Sequence, residues 1–378
     1  MKFKKYPFER LNELLADITP NSEYKQINLT IGEPQFPTPS FIKEEVCKNI
    51  ELLNRYPKSS GEEYLKEAQR DYLRRNFNIE LELNEIIPTF GTREVLFNFP
   101  QFLLAQKSSP TMAFPNPFYQ IYEGAAIASR ARVKYLTLTK ENSFKPQISS
   151  DLKDADLVIL NTPNNPTAST LNLEELKRWV EAAKEFDFVL LNDECYIDLY
   201  NKEPLPSLLN AAIEAGNRDF KNILVVNSLS KRSSAPGVRS GFIAGDKDIL
   251  KDYLRYRTYV GAAIPLPLQK GAAAGWMDDN KAAYFREIYN KNLQIAANIF
   301  EIPTPKATFY IWLEVKDALK GAKELYKRYN IKVLPGEFLG REGAGKDYWR
   351  LALVYEPKII KEAALRIKKF LGEFYGRD

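Results

Sequence analysis

The chain has 378 residues, 44% of them hydrophobic, with 54 basic and 49 acidic side chains and a formal net charge of +5. That length suits about two domains, and charge this dispersed argues against a nucleic-acid reader, which gathers its basic residues on one element. Histidine is absent, which excludes serine–histidine and cysteine–histidine nucleophile pairs, histidine general bases and most zinc sites.

Proton transfer is left to lysine, tyrosine, cysteine or carboxylates. Only Cys47 and Cys195 are cysteines, too few for a disulfide framework and in keeping with a reducing cytoplasm. No apolar run reaches the ~18–20 residues of a membrane span. The opening Lys2-Phe3-Lys4-Lys5-Tyr6-Pro7 has no apolar stretch behind its charges, unlike a signal peptide. The expectation is a cytoplasmic protein with neither nucleic-acid nor membrane partner, mildly favouring anionic small molecules.

Along the chain, Phe90-Gly91-Thr92-Arg93 follows the apolar Ile86-Ile87 and opens a helix predicted over Thr92 to Leu104. Free N–H groups at such a start suit a phosphate, and glycine lets the backbone approach it. Thr111 to Phe114 reads as a strand, followed by the turn Pro115-Asn116-Pro117-Phe118-Tyr119 and a helix over Tyr119 to Ser129. Leu157 to Leu160, Phe188 to Leu191 and Ile223 to Val226 are further apolar runs of the kind buried on both faces. Between them, Leu173, Leu176, Trp179, Val180 and Ala183 recur at helical spacing behind Asn172, a helix cap.

This alternation predicts an α/β fold with a largely parallel sheet between helices. The C-terminal third differs. Ala307 to Val315 and Tyr348 to Val354 read as strands, Leu334 to Phe338 as a turn, and Glu362 to Tyr375 as an amphipathic helix. A smaller α+β domain is expected there. Residues 42–275 would form the large domain, and residues 1–41 with 276–378 the small one.

Open parallel sheets bind ligands beyond the carboxyl ends of their strands. Asn161-Thr162-Pro163-Asn164-Asn165-Pro166-Thr167 ends one strand, with two prolines helping to pin Asn165. Asn192-Asp193-Glu194-Cys195-Tyr196 ends the next, and a buried Asp there needs a cationic partner. After the last run comes Ser228-Leu229-Ser230-Lys231, with Arg239 eight positions beyond the lysine. A lysine that forms an imine must be fixed and partly desolvated, and a phosphorylated aldehyde needs hydroxyls and a guanidinium fork. Each group alone has an ordinary structural reading as a turn, a cap or a solvated face. Their joint order matches one ligand, a phosphorylated 3-hydroxypyridine aldehyde.

From Ile31-Gly32-Glu33-Pro34 to Tyr348-Trp349-Arg350-Leu351-Ala352, the chain resembles class I/II aminotransferases. These are fold-type I pyridoxal-phosphate enzymes typified by aspartate aminotransferase. The resemblance implies that Lys231 is the Schiff-base lysine and proton shuttle, with pyridoxal 5'-phosphate as cofactor. It implies that Asp193 pairs with the ring nitrogen, Tyr196 and Asn165 with the ring 3-oxygen, and that Tyr119 stacks on the ring. Gly91, Thr92, Arg93, Ser228 and Arg239 would line the phosphate, joined by Tyr56 from the partner of a homodimer. Arg350, with the Gly32 backbone and Asn165 nearby, would hold the substrate carboxylate. Ala168 stands where the family has glycine.

The opening Tyr6-Pro7-Phe8-Glu9-Arg10-Leu11 with Leu29-Thr30-Ile31-Gly32-Glu33-Pro34 resembles the N-succinyl-diaminopimelate aminotransferases of lysine biosynthesis, whose second pair is glutamate and 2-oxoglutarate. Alternatives are a broader aspartate, aromatic or other amino-acid transaminase, and a C–S lyase on the same site. A cofactor-binding regulator fused to a winged helix is a third, for which the motifs leave no room before Gly32. Lys58, Arg232 and Arg257 are candidate cations for a distal substrate carboxylate.

Overall fold

In the computed structural model, which describes residues 2–376, seven strands form the main sheet. They are β1 (Ile86–Thr89), β2 (Thr111–Asn116), β3 (Arg132–Thr137), β4 (Leu157–Asn161), β5 (Val189–Asp193), β6 (Ile223–Ser228) and β7 (Gly241–Gly245), ordered β1-β7-β6-β5-β4-β2-β3. Neighbours from β6 through β3 run parallel, and β7 is antiparallel to both β1 and β6.

The apolar runs form central strands because both of their faces are covered. Val158, Leu160, Leu190 and Val225 pack with Trp179 and Trp276 on one side. Leu157, Ile159, Leu191 and Leu224 pack with Phe99 and Tyr253 on the other. Adjacent residues thus serve opposite layers, as the two-residue period of a strand requires.

The helix Leu173–Phe186 lies where its periodicity places it. Asn172 accepts from the Glu175 backbone N–H at 2.9 Å, and Glu175 returns the bond to the Asn172 N–H at 2.8 Å. This reciprocal cap satisfies donors the first helical turn leaves free. Thr92–Leu104 is helical as expected, whereas the helix expected from Tyr119 begins only at Ile121.

A second sheet comprises β8 (Tyr310–Glu314), β9 (Leu334–Pro335) and β10 (Tyr348–Ala352), antiparallel in the order β9-β10-β8. Ile311, Leu313, Trp349 and Leu351 pack there against Leu293, Ile360, Ile367 and Phe370. Ile27 and Leu29 join this core, and Ile27–Asn28 pairs in parallel with Ile331–Lys332. The helical region 271–283 contains a break. One helix ends at Met277 and a 21-residue helix, Asn280–Phe300, follows. No helix among the described residues is long and apolar enough to cross a membrane.

Candidate active site

The parallel strands end on polar residues in register. Asn161 of β4 faces Asp193 of β5, and its amide donates to the Asp193 carbonyl at 2.9 Å. Beyond these ends lies a cavity of about 490 Å³, walled on its far side by Tyr310 of β8 and Arg350 of β10. Gly32, Thr92, Arg93, Tyr119, Asn165, Asp193, Tyr196, Ser228, Lys231, Arg239 and Arg350 all line it.

Lys231 sits in the short helix Leu229–Arg232, capped by Ser228, whose hydroxyl accepts from the Ser230 N–H at 3.2 Å. The next residue fastens this turn. Arg232 is buried, donates to the Gly275 carbonyl at 2.9 Å and pairs with Asp279 at 3.0 Å. The Lys231 amine donates to the Gly32 carbonyl at 2.7 Å. Burial lowers its pKa to about 8, with Cys195 and Glu33 opposing and Arg239 and Arg350 adding to the fall.

Asp193 is buried, accepting from the Tyr122 hydroxyl at 2.8 Å and the Cys195 N–H at 3.2 Å. Desolvation raises its pKa, while those donors and Lys231 work against the rise. Tyr196 shares a hydrogen bond with Tyr310 at 3.0 Å.

Arg350 donates through Nη1 to Asn165 Oδ1 at 2.8 Å and through Nη2 to the Thr30 carbonyl at 2.5 Å, above the Tyr310 ring. Its Nε is buried with no partner. Gly32 packs so closely that a Cβ there would lie 1.9 Å from the Tyr310 hydroxyl.

Gly91 stands behind the cavity wall with φ of 73°, and a Cβ there would lie 2.3 Å from Arg239 Nη2. Arg239 donates to the Pro236 carbonyl at 3.0 Å and the Phe90 carbonyl at 3.3 Å. Arg93 donates from Nε to the Tyr119 hydroxyl at 2.8 Å. Among the described residues, Arg93, Lys231, Arg239 and Arg350 form no ion pair with a carboxylate, and neither does Asp193 with a cation. Four cations and one buried anion thus converge on a cavity without charged partners of their own. The donor set fits a ligand bearing a phosphate, a carboxylate and a protonated ring nitrogen.

A model of the family "Aminotransferase class I and II" matches residues 24–367. The chain belongs to the class I and II aminotransferases. Aminotransferase AspB from Helicobacter pylori 26695 is 50% identical in its crystal structure, with a TM-score of 0.96 over 98% of this chain and 99% of that one. An aminotransferase from Neisseria meningitidis Z2491 is 36% identical, with a TM-score of 0.93 over 98% of both chains. An LL-diaminopimelate aminotransferase from Aquifex aeolicus is 29% identical over 90% of each chain. This aminotransferase therefore has the aspartate-aminotransferase-like fold and is a pyridoxal-phosphate-dependent transaminase of amino acids and 2-oxo acids.

Several expected residues of the aminotransferase stand elsewhere. Tyr56 is fully exposed and does not line the cavity of its own chain. Arg232 and Arg257 are buried away from it, Arg257 pairing with Glu94 at 2.8 Å and donating to the Ser59 and Ala262 carbonyls. Neither is free to meet a substrate. Lys58 pairs with Glu62 at 3.3 Å on the surface. Tyr122, Tyr310 and Thr30 were not singled out in the sequence. Tyr122 carries a signal, its place three residues beyond Tyr119, across the turn that leads into the helix Ile121–Ala128.

Proposed function

We propose that Lys231 carries the cofactor aldehyde, with Asp193 against the ring nitrogen and Arg350 gripping the substrate α-carboxylate. The carrying observation is the unpaired charge of this cavity: a buried carboxylate lacking a cation, and a buried guanidinium with an orphaned Nε. Tyr119 would stack on the ring, and Tyr196 and Asn165 would address its 3-oxygen. The backbone at Gly91, Thr92 and Arg93, with Ser228 and Arg239, would receive the phosphate. Tyr56, exposed beyond the turn Ile50–Asn54, would reach the phosphate in a second copy, making the working unit a homodimer.

When bound, pyridoxal phosphate supplies an aldehyde that takes up the substrate amine and a ring that accepts the electron pair left at the α-carbon. The chain's own residues do the rest. Lys231 Nζ, desolvated and therefore basic without being permanently protonated, takes the proton from the substrate α-carbon and delivers it to the carbon that receives the amine. Asp193 holds a proton on the ring nitrogen. Arg350 and the Gly32 backbone fix the carboxylate so that the α-proton faces the lysine.

For the substrate we infer N-succinyl-L,L-diaminopimelate, with 2-oxoglutarate and glutamate as the second pair. Tyr6, Pro7 and Phe8, the segment that resembles the N-succinyl enzymes, line the cavity. Arg93 stands beside Tyr119 with no carboxylate partner, suited to the succinyl carboxylate. Unsuccinylated LL-diaminopimelate is the second reading, favoured by the Aquifex aeolicus relative. Its distal ammonium would meet Glu33, which also lines the cavity.

The test is a panel of amino donors with 2-oxoglutarate, read with an absorbance scan for bound cofactor. The reading expects the succinylated donor to be preferred and Arg93→Ala to remove that preference. Turnover of free diaminopimelate alone, lost in Glu33→Gln, establishes the second reading. Turnover of only aspartate or phenylalanine removes both. A homodimer is checked by light scattering, and a monomer that retains full activity excludes the role given to Tyr56.

A further inference from the structure

We propose that Tyr122 is a positioning residue for the transamination site, holding the Asp193 carboxylate ionised and fixed in rotation through a hydrogen bond to its Oδ2. The inference rests on the reading that Asp193 faces the cofactor ring nitrogen. Tyr122 does not line the cavity, so it acts only through Asp193.

Three observations carry the argument. The Tyr122 hydroxyl lies 2.8 Å from Asp193 Oδ2, and its side chain is fully buried. The other carboxylate oxygen accepts the Cys195 N–H at 3.2 Å, so Asp193 is held from two directions. Tyr122 also lies three residues beyond Tyr119, the two rings meeting edge-on at 5.8 Å and 83°. A single segment thus places the aromatic proposed to cover the ring and the donor to the residue proposed to charge it.

Desolvation favours the neutral carboxylic acid, and a donor to the charged form opposes this. Tyr122 can play that part over the working pH range, since burial and the nearby Asp193 hold its phenol protonated. The other titratable groups acting on Asp193 are Cys195, Lys231 and its neighbour Glu194. Those acting on Lys231 are Cys195, Glu33, Arg239 and Arg350. Without the phenol, Asp193 protonates more readily and holds the ring proton less well. A ring without that proton no longer repels a proton on the Lys231 nitrogen, so the nitrogen titrates at higher pH.

The experiment follows the visible absorption of the holoenzyme against pH, together with cofactor affinity. It compares wild type, Tyr122→Phe, Asp193→Asn and the double variant. Tyr122→Phe is expected to raise the titration midpoint by about 0.5–1 pH unit and weaken cofactor binding about 5- to 50-fold. In the Asp193→Asn background the same change should add nothing, because its target is gone. An unchanged midpoint with affinity within about twofold overturns the proposal, as does an equal shift in the Asp193→Asn background, the mark of a packing role. If Tyr122→Phe does not fold, Tyr122→Gln is read instead. That variant keeps a donor and should titrate as wild type, and a shift beyond about half a unit overturns the proposal. Wild-type protein that takes up no cofactor would sink the functional reading itself, an outcome distinct from these.

Discussion

Arg350 and Asn165, 185 residues apart in the chain, are joined by a 2.8 Å hydrogen bond from the guanidinium to the amide oxygen. The bond fixes the plane of the fork, and the Thr30 carbonyl and Tyr310 ring hold it from other sides. A pre-oriented fork binds a carboxylate with little further ordering. Arg350→Ala should therefore lower kcat/KM by about 2–4 kcal/mol, roughly 30- to 1000-fold, while cofactor content stays at wild-type level. A loss below about threefold would show that the α-carboxylate is held elsewhere.

Lys231 gives a pH prediction. An ordinary lysine with a pKa of 10.5 is almost wholly protonated at pH 8, whereas burial lowers this one to about 8. The reactive neutral amine therefore makes up about half of the population at pH 8, against about one part in 300 for an unperturbed lysine. The rate at which apo-protein captures the cofactor aldehyde, trapped with borohydride, should climb with pH, reach half its plateau near pH 8 and level off above about 9. A climb that continues unbroken to pH 10 contradicts this. Lys231→Ala should form no trapped adduct and lose turnover by several orders of magnitude.

The apolar runs made the main sheet legible, because only strands covered on both faces are apolar at successive positions. They also marked the strand ends at Asn161, Asp193 and Ser228, where charge and polarity resume. The opposite wall was less legible. Arg350 was found by its resemblance to a family motif, and nothing local distinguishes Tyr310 within its strand. Arg257 illustrates the reverse failure. An arginine in an ion pair with a glutamate 163 residues away has the same sequence signature as one facing a pocket. Tyr122 was readable in hindsight, since the turn between Tyr119 and the helix start brings it beside that ring.

Ala168 occupies the left-handed region, with φ of 60°, at a position only 5% exposed. Its N–H still bonds to the Asn164 carbonyl at 3.0 Å, so the loop keeps its shape at the expense of a Cβ placed against the backbone. Such strain is worth roughly 1 kcal/mol. Ala168→Gly relieves it but adds freedom to the unfolded chain, offsetting part of the gain. A net rise of about 0.5 kcal/mol in unfolding free energy is expected in denaturant titrations, with turnover unchanged. A fall in stability would mean that the buried methyl contributes more than the strain removes.

Glu194 adjoins Asp193 but faces away from the chemistry. One of its oxygens accepts from the Asn192 amide at 2.9 Å, the Ser207 hydroxyl at 3.1 Å and the Leu208 N–H at 2.8 Å. Burial outweighs these donors and raises its pKa from 4.5 to about 7. Below pH 4.5 the carboxyl is protonated whether the chain is folded or not, so it contributes no pH dependence. Between about 4.5 and 7 the unfolded chain releases the proton and the native chain keeps it, so native stability falls as pH rises and then levels off. The full drop is about 3 kcal/mol. Glu194→Gln keeps the acceptor and cannot ionise, leaving only a constant offset from the buried amide. The difference in stability between wild type and variant should therefore shift towards the variant from pH 5 to pH 8. Parallel profiles across that range would show that Glu194 is already ionised in the native protein and that the three donors, rather than burial, set its charge.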